Sequence, residues 1–349
     1  MTFTTDSTHG LFHTIRAAII ALAIAIGAPA ALAQQLFGSD SPAVAAASSK
    51  EVRLALPVAR DRVVVSTDGA RIAVHEYGLL AGQAPTIVLV HGYPDTSHVW
   101  DQVVARLAPN YHVVAYDTRG SGDSEHPAPG LFSTPYKLTQ LSADLGAVIN
   151  ATSSGLPVHL VGHDWGSIQS WESVAKEPIA SKIASYTTIS GPSLDLVSHW
   201  ARNNLVNPLQ WGNLITQAVS SAYIIGLDFP VLPEVAWATG LPNGMLNLLV
   251  LLEGGTREPY QSGDGATALN LYRANVLERL LIPTYDKVVT QKIQVIVPTL
   301  DLFVKEATSV DSLKGAVQSP QIVHIDAGHW VQLSHPDEIA QAIARFATN

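Results

Sequence analysis

The chain has 349 residues, of which 47% are hydrophobic and only 14% charged, and its formal net charge is −9. About a quarter charged is usual for a soluble domain, so this apolar-rich composition excludes a disordered chain. The acidic balance excludes a general nucleic-acid role, and the lack of cysteine excludes disulfide scaffolds, thiolate metal sites and thiol nucleophiles.

Residues 1–33 read as an export signal. A polar start ends at His13 and Arg16, an apolar stretch runs from Ala17 to Gly27, and Ala31-Leu32-Ala33 is an A-x-A cleavage site that leaves Gln34 first. The apolar stretch is shorter than the ~20 residues a spanning helix needs. An uncleaved anchor is the alternative, because Ala17 to Ala33 carries no charge. Residues 34–56, rich in Ala and Ser, form an expected flexible lead-in. The mature chain is therefore expected outside the cytoplasm, periplasmic or extracellular, without stable insertion in a membrane.

Beyond the lead-in, short apolar runs alternate with helical patterns, which predicts an α/β fold with a mostly parallel sheet flanked by helices. Arg62–Ser66 and Arg71–Tyr77 flank Asp68-Gly69 as a hairpin. Strands are predicted at Thr86–Val90, His112–Tyr116, Val158–Val161 and Ile183–Ile189. Leu141–Asn150 and Ser167–Lys176 have helical patterns. From about Pro192 to Pro283 no convincing strand appears, and helix-like spacing is broken only by prolines. Strands resume at Ile293–Pro298 and Gln321–Ile325, and a helix runs from Pro336 to Phe346 with proline in its first turn. The expected organisation is a core of residues 57–191 and 284–349 with an inserted helical cap at 192–283.

Gly162-His163-Asp164-Trp165-Gly166 has the G-x-nucleophile-x-G form of a strand-to-helix elbow. Such a turn strains the central residue, lifts its side chain clear of the sheet and crowds the positions two residues away, hence the glycines. The Trp165 amide can then point at a reacting oxygen. With Asp in the centre, the chemistry expected is attack on saturated carbon to give an alkyl ester. That ester needs a base to activate water. His329, in Asp326-Ala327-Gly328-His329-Trp330 after the last strand, stands where such a base belongs. His335 adjoins a helix start and His163 has a packing role. The orienting carboxylate is Asp301 at the tip of the preceding strand, with Glu306 and Asp311 as fallbacks.

With these residues the sequence resembles the α/β-hydrolase epoxide hydrolases, from about Val63 to the end. His91-Gly92-Tyr93-Pro94 looks like that family's H-G-x-P motif, and the pentapeptide at Asp164 looks like its elbow. The resemblance implies backbone oxyanion donors at Tyr93 and Trp165, and a substrate-side loop carrying His91 and Pro94. Leu269-Asn270-Leu271-Tyr272-Arg273 resembles the family's L-N-x-Y-R segment, and Tyr223–Pro230 resembles its other tyrosine-bearing segment. The resemblance therefore implies that Tyr223 and Tyr272 hold the epoxide oxygen, while Tyr260 and Tyr285 are less well placed. Asp117-Thr118-Arg119-Gly120-Ser121-Gly122 looks like a structural turn of the same proteins. The sequence also resembles hydrolase domains fused to short-chain dehydrogenases, though no dehydrogenase segment is expected after the last helix.

The expected reaction is conversion of an epoxide and water to a vicinal diol, with no cofactor and no metal. No P-loop, H-E-x-x-H or EF-hand pattern occurs. A haloalkane dehalogenase shares the Asp nucleophile and the following Trp, but Tyr93 stands where a second halide donor is needed. A fluoroacetate-type dehalogenase expects Arg beside the nucleophile, where Trp165 and Ser167 stand. A non-catalytic exported binding protein would not require Asp164, Asp301 and His329 together. Leu241–Leu252 is too apolar for one solvated face, so part of it is expected on the core. Arg119 and Arg273 are the cations read near the catalytic loops, so a neutral, hydrophobic substrate is expected.

Overall fold

Runs of β-branched and aliphatic residues form the eight strands of one sheet. They are β1 (Arg60–Val65), β2 (Arg71–Gly78), β3 (Thr86–Val90), β4 (His112–Tyr116), β5 (Val158–His163), β6 (Ile183–Ile189), β7 (Lys292–Pro298) and β8 (Gln321–Ile325). This arrangement comes from a computed structural model that describes residues 52–256, 262–287 and 291–348. The expected export signal, the lead-in as far as residue 51, and Tyr260 lie outside the described residues.

The strand order is β1-β2-β4-β3-β5-β6-β7-β8. The pairings of β1 with β2 and of β2 with β4 are antiparallel, and all the others are parallel. β3 and β4 are buried at every position, as expected for central strands covered on both faces. β1 lies at the edge, is largely exposed and opens with Arg60, Asp61 and Arg62, which discourages pairing with another chain. The β1–β2 turn forms at Asp68-Gly69, where Gly69 has φ +92°.

Helices α1 (Asp101–Leu107), α2 (Leu138–Thr152) and α3 (Trp165–Ala175) cover the sheet together with the C-terminal helix Pro336–Thr348. Val103, Val104 and Leu107 pack with Ile339 and Ile343 on one face. Leu145, Val148, Ile149, Trp171 and Val174 pack on the other. α1 was not foreseen, because seven residues are too few to establish a helical period.

Among the described residues, the chain between β6 and β7 is helical. It comprises α4 (Leu194–Leu205), α5 (Trp211–Ser220), α6 (Tyr223–Asp228), α7 (Leu232–Ala238), α8 (Leu241–Leu252) and α9 (Ser262–Leu281). α4 is capped by Ser193, whose hydroxyl accepts from the Leu196 N–H at 3.1 Å. α9 is tied to the segment before α2: Asn275 accepts from the Leu138 N–H at 2.9 Å and donates to the Tyr136 carbonyl at 2.8 Å. In α8, Leu249 and Val250 reach the core, while Leu251 and Leu252 remain exposed.

Candidate active site

Asp164 follows β5 and precedes α3 with φ 50° and ψ −122°, a conformation uncommon for a residue with a side chain. Its N–H donates to the Ile189 carbonyl at 3.0 Å, and its carbonyl accepts from the Ile168 N–H at 2.9 Å. These bonds hold the strain in place. A Cβ on Gly162 would fall 2.6 Å from the Ser167 Cα, and one on Gly166 would fall 2.2 Å from the Val90 carbonyl oxygen. Both flanking glycines are therefore required by close backbone approach, as the elbow pattern implied.

The elbow brings three carboxyl and imidazole groups together from three strand tips. His329 Nε2 lies 3.6 Å from Asp164 Oδ2, and His329 Nδ1 lies 3.0 Å from Asp301 Oδ2. The other Asp301 oxygen accepts from the N–H groups of Phe303 and Val304 at 2.8 and 3.1 Å, which fixes its orientation. The fallback carboxylates are elsewhere: Glu306 pairs with His324 and Asp311 with Lys314. His335 bonds the Ser334 hydroxyl. His163 bonds the His329 carbonyl at 2.9 Å and Gln332 at 3.1 Å, so it braces the base loop. Burial, aided by the His329 ring, pushes His163 down to about 3, so it is neutral at ordinary pH.

The two oxygens of Asp164 are not equivalent. Oδ1 accepts from the Tyr93 N–H at 2.8 Å, and the neighbouring Trp165 amide also favours the charged carboxylate, whereas Oδ2 faces His329. Burial raises the Asp164 pKa, against the pull of the His329 ring and of these two amides. Burial opposes a charge on Asp301 as well, but the imidazole beside it holds this carboxyl below its usual range. Burial likewise opposes charge on His329. The Asp301 carboxylate overcomes it, and with Asp164 and Glu253 behind, the ring holds its proton more tightly than a free histidine.

Two tyrosines from the helical segment close the other side. Tyr223 begins α6 and Tyr272 lies within α9, and their rings pack edge to face with centroids 6.3 Å apart. The Tyr272 ring stands edge-on to Trp165 at 4.8 Å and to Tyr93 at 5.2 Å. Tyr223 packs against Phe303 at 5.5 Å, and Phe303 against His329 at 4.9 Å. Burial raises both hydroxyl pKa values, so both remain proton donors through the neutral range. Tyr285 bonds Ser193 and is not part of this cluster.

The loop after β3 behaves differently from the substrate-side part expected for it. His91 is buried; one ring nitrogen bonds the Gly92 carbonyl at 2.9 Å and the other accepts from the Thr118 N–H at 2.9 Å. With both nitrogens engaged by backbone, His91 braces two loops. Pro94 is buried beside it. The Tyr93 hydroxyl is turned away, accepting from Trp237 at 2.8 Å.

Three participants escaped the sequence reading. Glu253 follows α8, and its carboxylate accepts from the Trp330 N–H at 3.0 Å. A Cβ on Gly328 would fall 2.1 Å from the Glu253 carboxyl carbon, so the base loop has made room for it. Burial pushes Glu253 up to about 7. Phe303 lies in the loop after Asp301 and packs its ring edge-on to His329. Lys305 is a further cation near the catalytic loops: its ammonium donates to the Asp301 carbonyl at 2.7 Å. Arg119 is bound away by Asp68 and Asp144, and Arg273 by Glu234 and the Phe229 carbonyl. Among the described residues no group of three or more His, Asp or Glu side chains is arranged to hold a metal ion.

The chain is 31% identical over 296 residues to the Mycobacterium tuberculosis protein named Probable oxidoreductase EphD, covering 82% of this chain and 49% of that one. It thus spans about half the length of that relative. It is 27% identical over 290 residues to Epoxide hydrolase 3 of Xenopus tropicalis, covering 75% of this chain and 71% of the relative. The epoxide hydrolase VrEH1 from Vigna radiata superposes with a TM-score of 0.63 at 22% identity, over 83% of this chain and 98% of the other, a likeness of fold. Residues 87–342 match the model of the alpha/beta hydrolase family, and to that family the chain belongs.

Proposed function

We propose that the protein is an epoxide hydrolase that converts an epoxide and water to a vicinal diol through an alkyl ester on Asp164. The observation that carries this reading is the pair of tyrosines, Tyr223 and Tyr272, packed edge to face at 6.3 Å with both hydroxyls in the field of the Asp164 carboxylate. The names of several relatives, epoxide hydrolases from Xenopus tropicalis and Mycobacterium tuberculosis among them, support it.

The proposed steps balance as follows. Asp164 Oδ2 bonds to one ring carbon as the carbon–oxygen bond breaks, and a tyrosine gives its proton to the leaving oxygen. Ester formation discharges Asp164. This removes one of the anions that hold the proton on His329, so the imidazole becomes a better base when a base is needed. His329, oriented by Asp301, takes a proton from water as its oxygen adds to the ester carbon. The negative charge then develops on Oδ1, facing the Tyr93 and Trp165 amides. Collapse restores the carboxylate. One proton from water goes to the departing diol oxygen through His329, and the other restores the tyrosine.

We further propose that the helical segment at 192–283 acts as a cap over a neutral, hydrophobic substrate, since Arg119 and Arg273 are engaged away from the site and Lys305 is engaged by the Asp301 carbonyl. Export after cleavage near Ala33 belongs to the same reading. A dehalogenase shares Trp165 after the nucleophile, but the Tyr93 hydroxyl is committed to Trp237 and offers no second halide donor.

The test is a panel of epoxides and haloalkanes with His329→Gln beside Asp164→Asn. His329→Gln should take up one equivalent of epoxide, with an adduct on Asp164 seen by mass spectrometry and no steady turnover. Asp164→Asn should form no adduct and lose turnover by about 10⁴-fold or more. Halide release, or full turnover by His329→Gln, would overturn the reading.

A further inference from the structure

Helix α5 is inside-out. Trp211, Ile215 and Val219 are spaced by four residues, so they share one face, and all three are exposed. Gln217, about half a turn away, faces the protein: its amide donates to the Phe303 carbonyl at 3.0 Å and accepts from the Lys305 N–H at 2.9 Å and the Thr308 hydroxyl at 2.7 Å. The polar side chain thus points inward and the apolar stripe outward. The stripe continues upstream through Val206 and Leu209, the latter 91% exposed. A second apolar segment follows in the same insertion: Phe229, Val231 and Leu232 are exposed, and Val231 is held at φ 73°, a costly conformation for a β-branched residue.

Charge decides what such a face suits. Between Arg202 and Arg257 there is no cation, and the only carboxylates are Asp228, Glu234 and Glu253. Glu234 is paired with Arg273, and Glu253 is tied to the base loop. A protein partner is normally met by a polar, charged rim that sets its register. An anionic lipid surface or an acidic partner would need lysines or arginines. Neither device is present on this stretch, while an indole beside aliphatic side chains suits the boundary between lipid headgroups and acyl chains. No single helix among the described residues is long and apolar enough to cross a membrane, while α7 and α8 together, bent by 72°, have that length and composition.

We propose that the outward face of α5, with the chain from Val206 to Leu209, docks on a neutral phospholipid surface. Docking there sets the lipid against the helix whose inner side holds the Phe303 loop of the active site. The binding itself does not depend on which reaction the site performs.

Trp211 makes the test selective, because the other six tryptophans are buried. The full chain is mixed with phosphatidylcholine vesicles, either plain or brominated in the acyl chains. The expected result is co-flotation with the vesicles and partial loss of tryptophan emission on brominated lipid only. That loss should be absent in Trp211→Phe. Leu209→Asn with Ile215→Asn, checked for an unchanged circular dichroism spectrum, should lower vesicle affinity at least about tenfold. Flotation without quenching would assign binding to the N-terminal segment and overturn the proposal. A concentration-dependent dimer abolished by Ile215→Asn, without flotation, would make the face a contact between copies and overturn it as well. A monomer that does not float would also overturn it.

Discussion

Asp164, Asp301 and His329 stand on the tips of strands in one sheet, whereas Tyr223 and Tyr272 stand on helices inserted between β6 and β7. The first group is held by backbone. Asp164 sits between the amides of Tyr93 and Trp165, and Asp301 accepts from two consecutive loop amides. The second group is held by side chains: ring edges around Tyr272, Arg273 on Glu234, and Gln217 on the loop after Asp301. Backbone amides cannot change rotamer, so the strand side is rigid by construction. The helical side can be loosened one side chain at a time.

The largest expected effect breaks the rigid side. Arg119 is fully buried and joins Asp68 of the β1–β2 turn to Asp144 of α2. Arg119→Met leaves Asp144 buried without a counter-ion, with the Ser66 hydroxyl still donating to it, and should cost about 3–5 kcal/mol of stability in urea or thermal unfolding. An unchanged transition would show that the turn after β4 is not a keystone of the core.

A smaller effect isolates the helical side. Tyr272→Phe should slow formation of the Asp164 ester by about 10²-fold or more, read as the rate of adduct formation in the His329→Gln background. Its unfolding transition should stay close to the parent's, because the ring and its packing remain. Tyr223→Phe should slow the same step. If neither does, the hydroxyl pair has no part in ring opening.

The smallest effect sharpens the point where the two sides meet. The groups facing His329 are Asp301, Asp164 and Glu253, with neutral His163 beneath and Asp95 behind Trp330. The Glu253 carboxylate raises the proton affinity of His329, so Glu253→Gln should lower it. In the proposed mechanism ester hydrolysis needs neutral imidazole, and its rise with pH should therefore move to lower pH. Ester formation should be little changed, and Glu253→Asp should return the profile toward the parent's. A profile that does not move would leave Glu253 only a tie between α8 and the base loop.

The strand side was legible because its information is local. Thr86–Val90, His112–Tyr116, Ile183–Ile189 and Gln321–Ile325 coincide with observed strands, since continuous apolar runs bounded by turn residues have few other ways to be buried. β5 runs on to His163, past the predicted end at Val161, because that ring finds buried partners in the His329 carbonyl and Gln332. Helix α2 extends beyond Leu141–Asn150 at both ends, with its first turn supported by Asn275 from α9. That is a bond across 137 residues, invisible to periodicity.

The sequence by itself determined the strand–turn–helix around Asp164, because glycine spacing and strain are properties of a few consecutive residues. It also determined which His and Asp could serve that turn, because chain order along the sheet limits what can stand at the strand tips. The tertiary structure alone decided that His91 braces loops, that Arg119 and Arg273 are spoken for, that Lys305 and Glu253 reach the catalytic loops, and that α5 turns its apolar stripe outward. Each depends on which partner a long or polar side chain meets across the fold. No pattern along the chain encodes that choice, since it is made by the packing of distant segments.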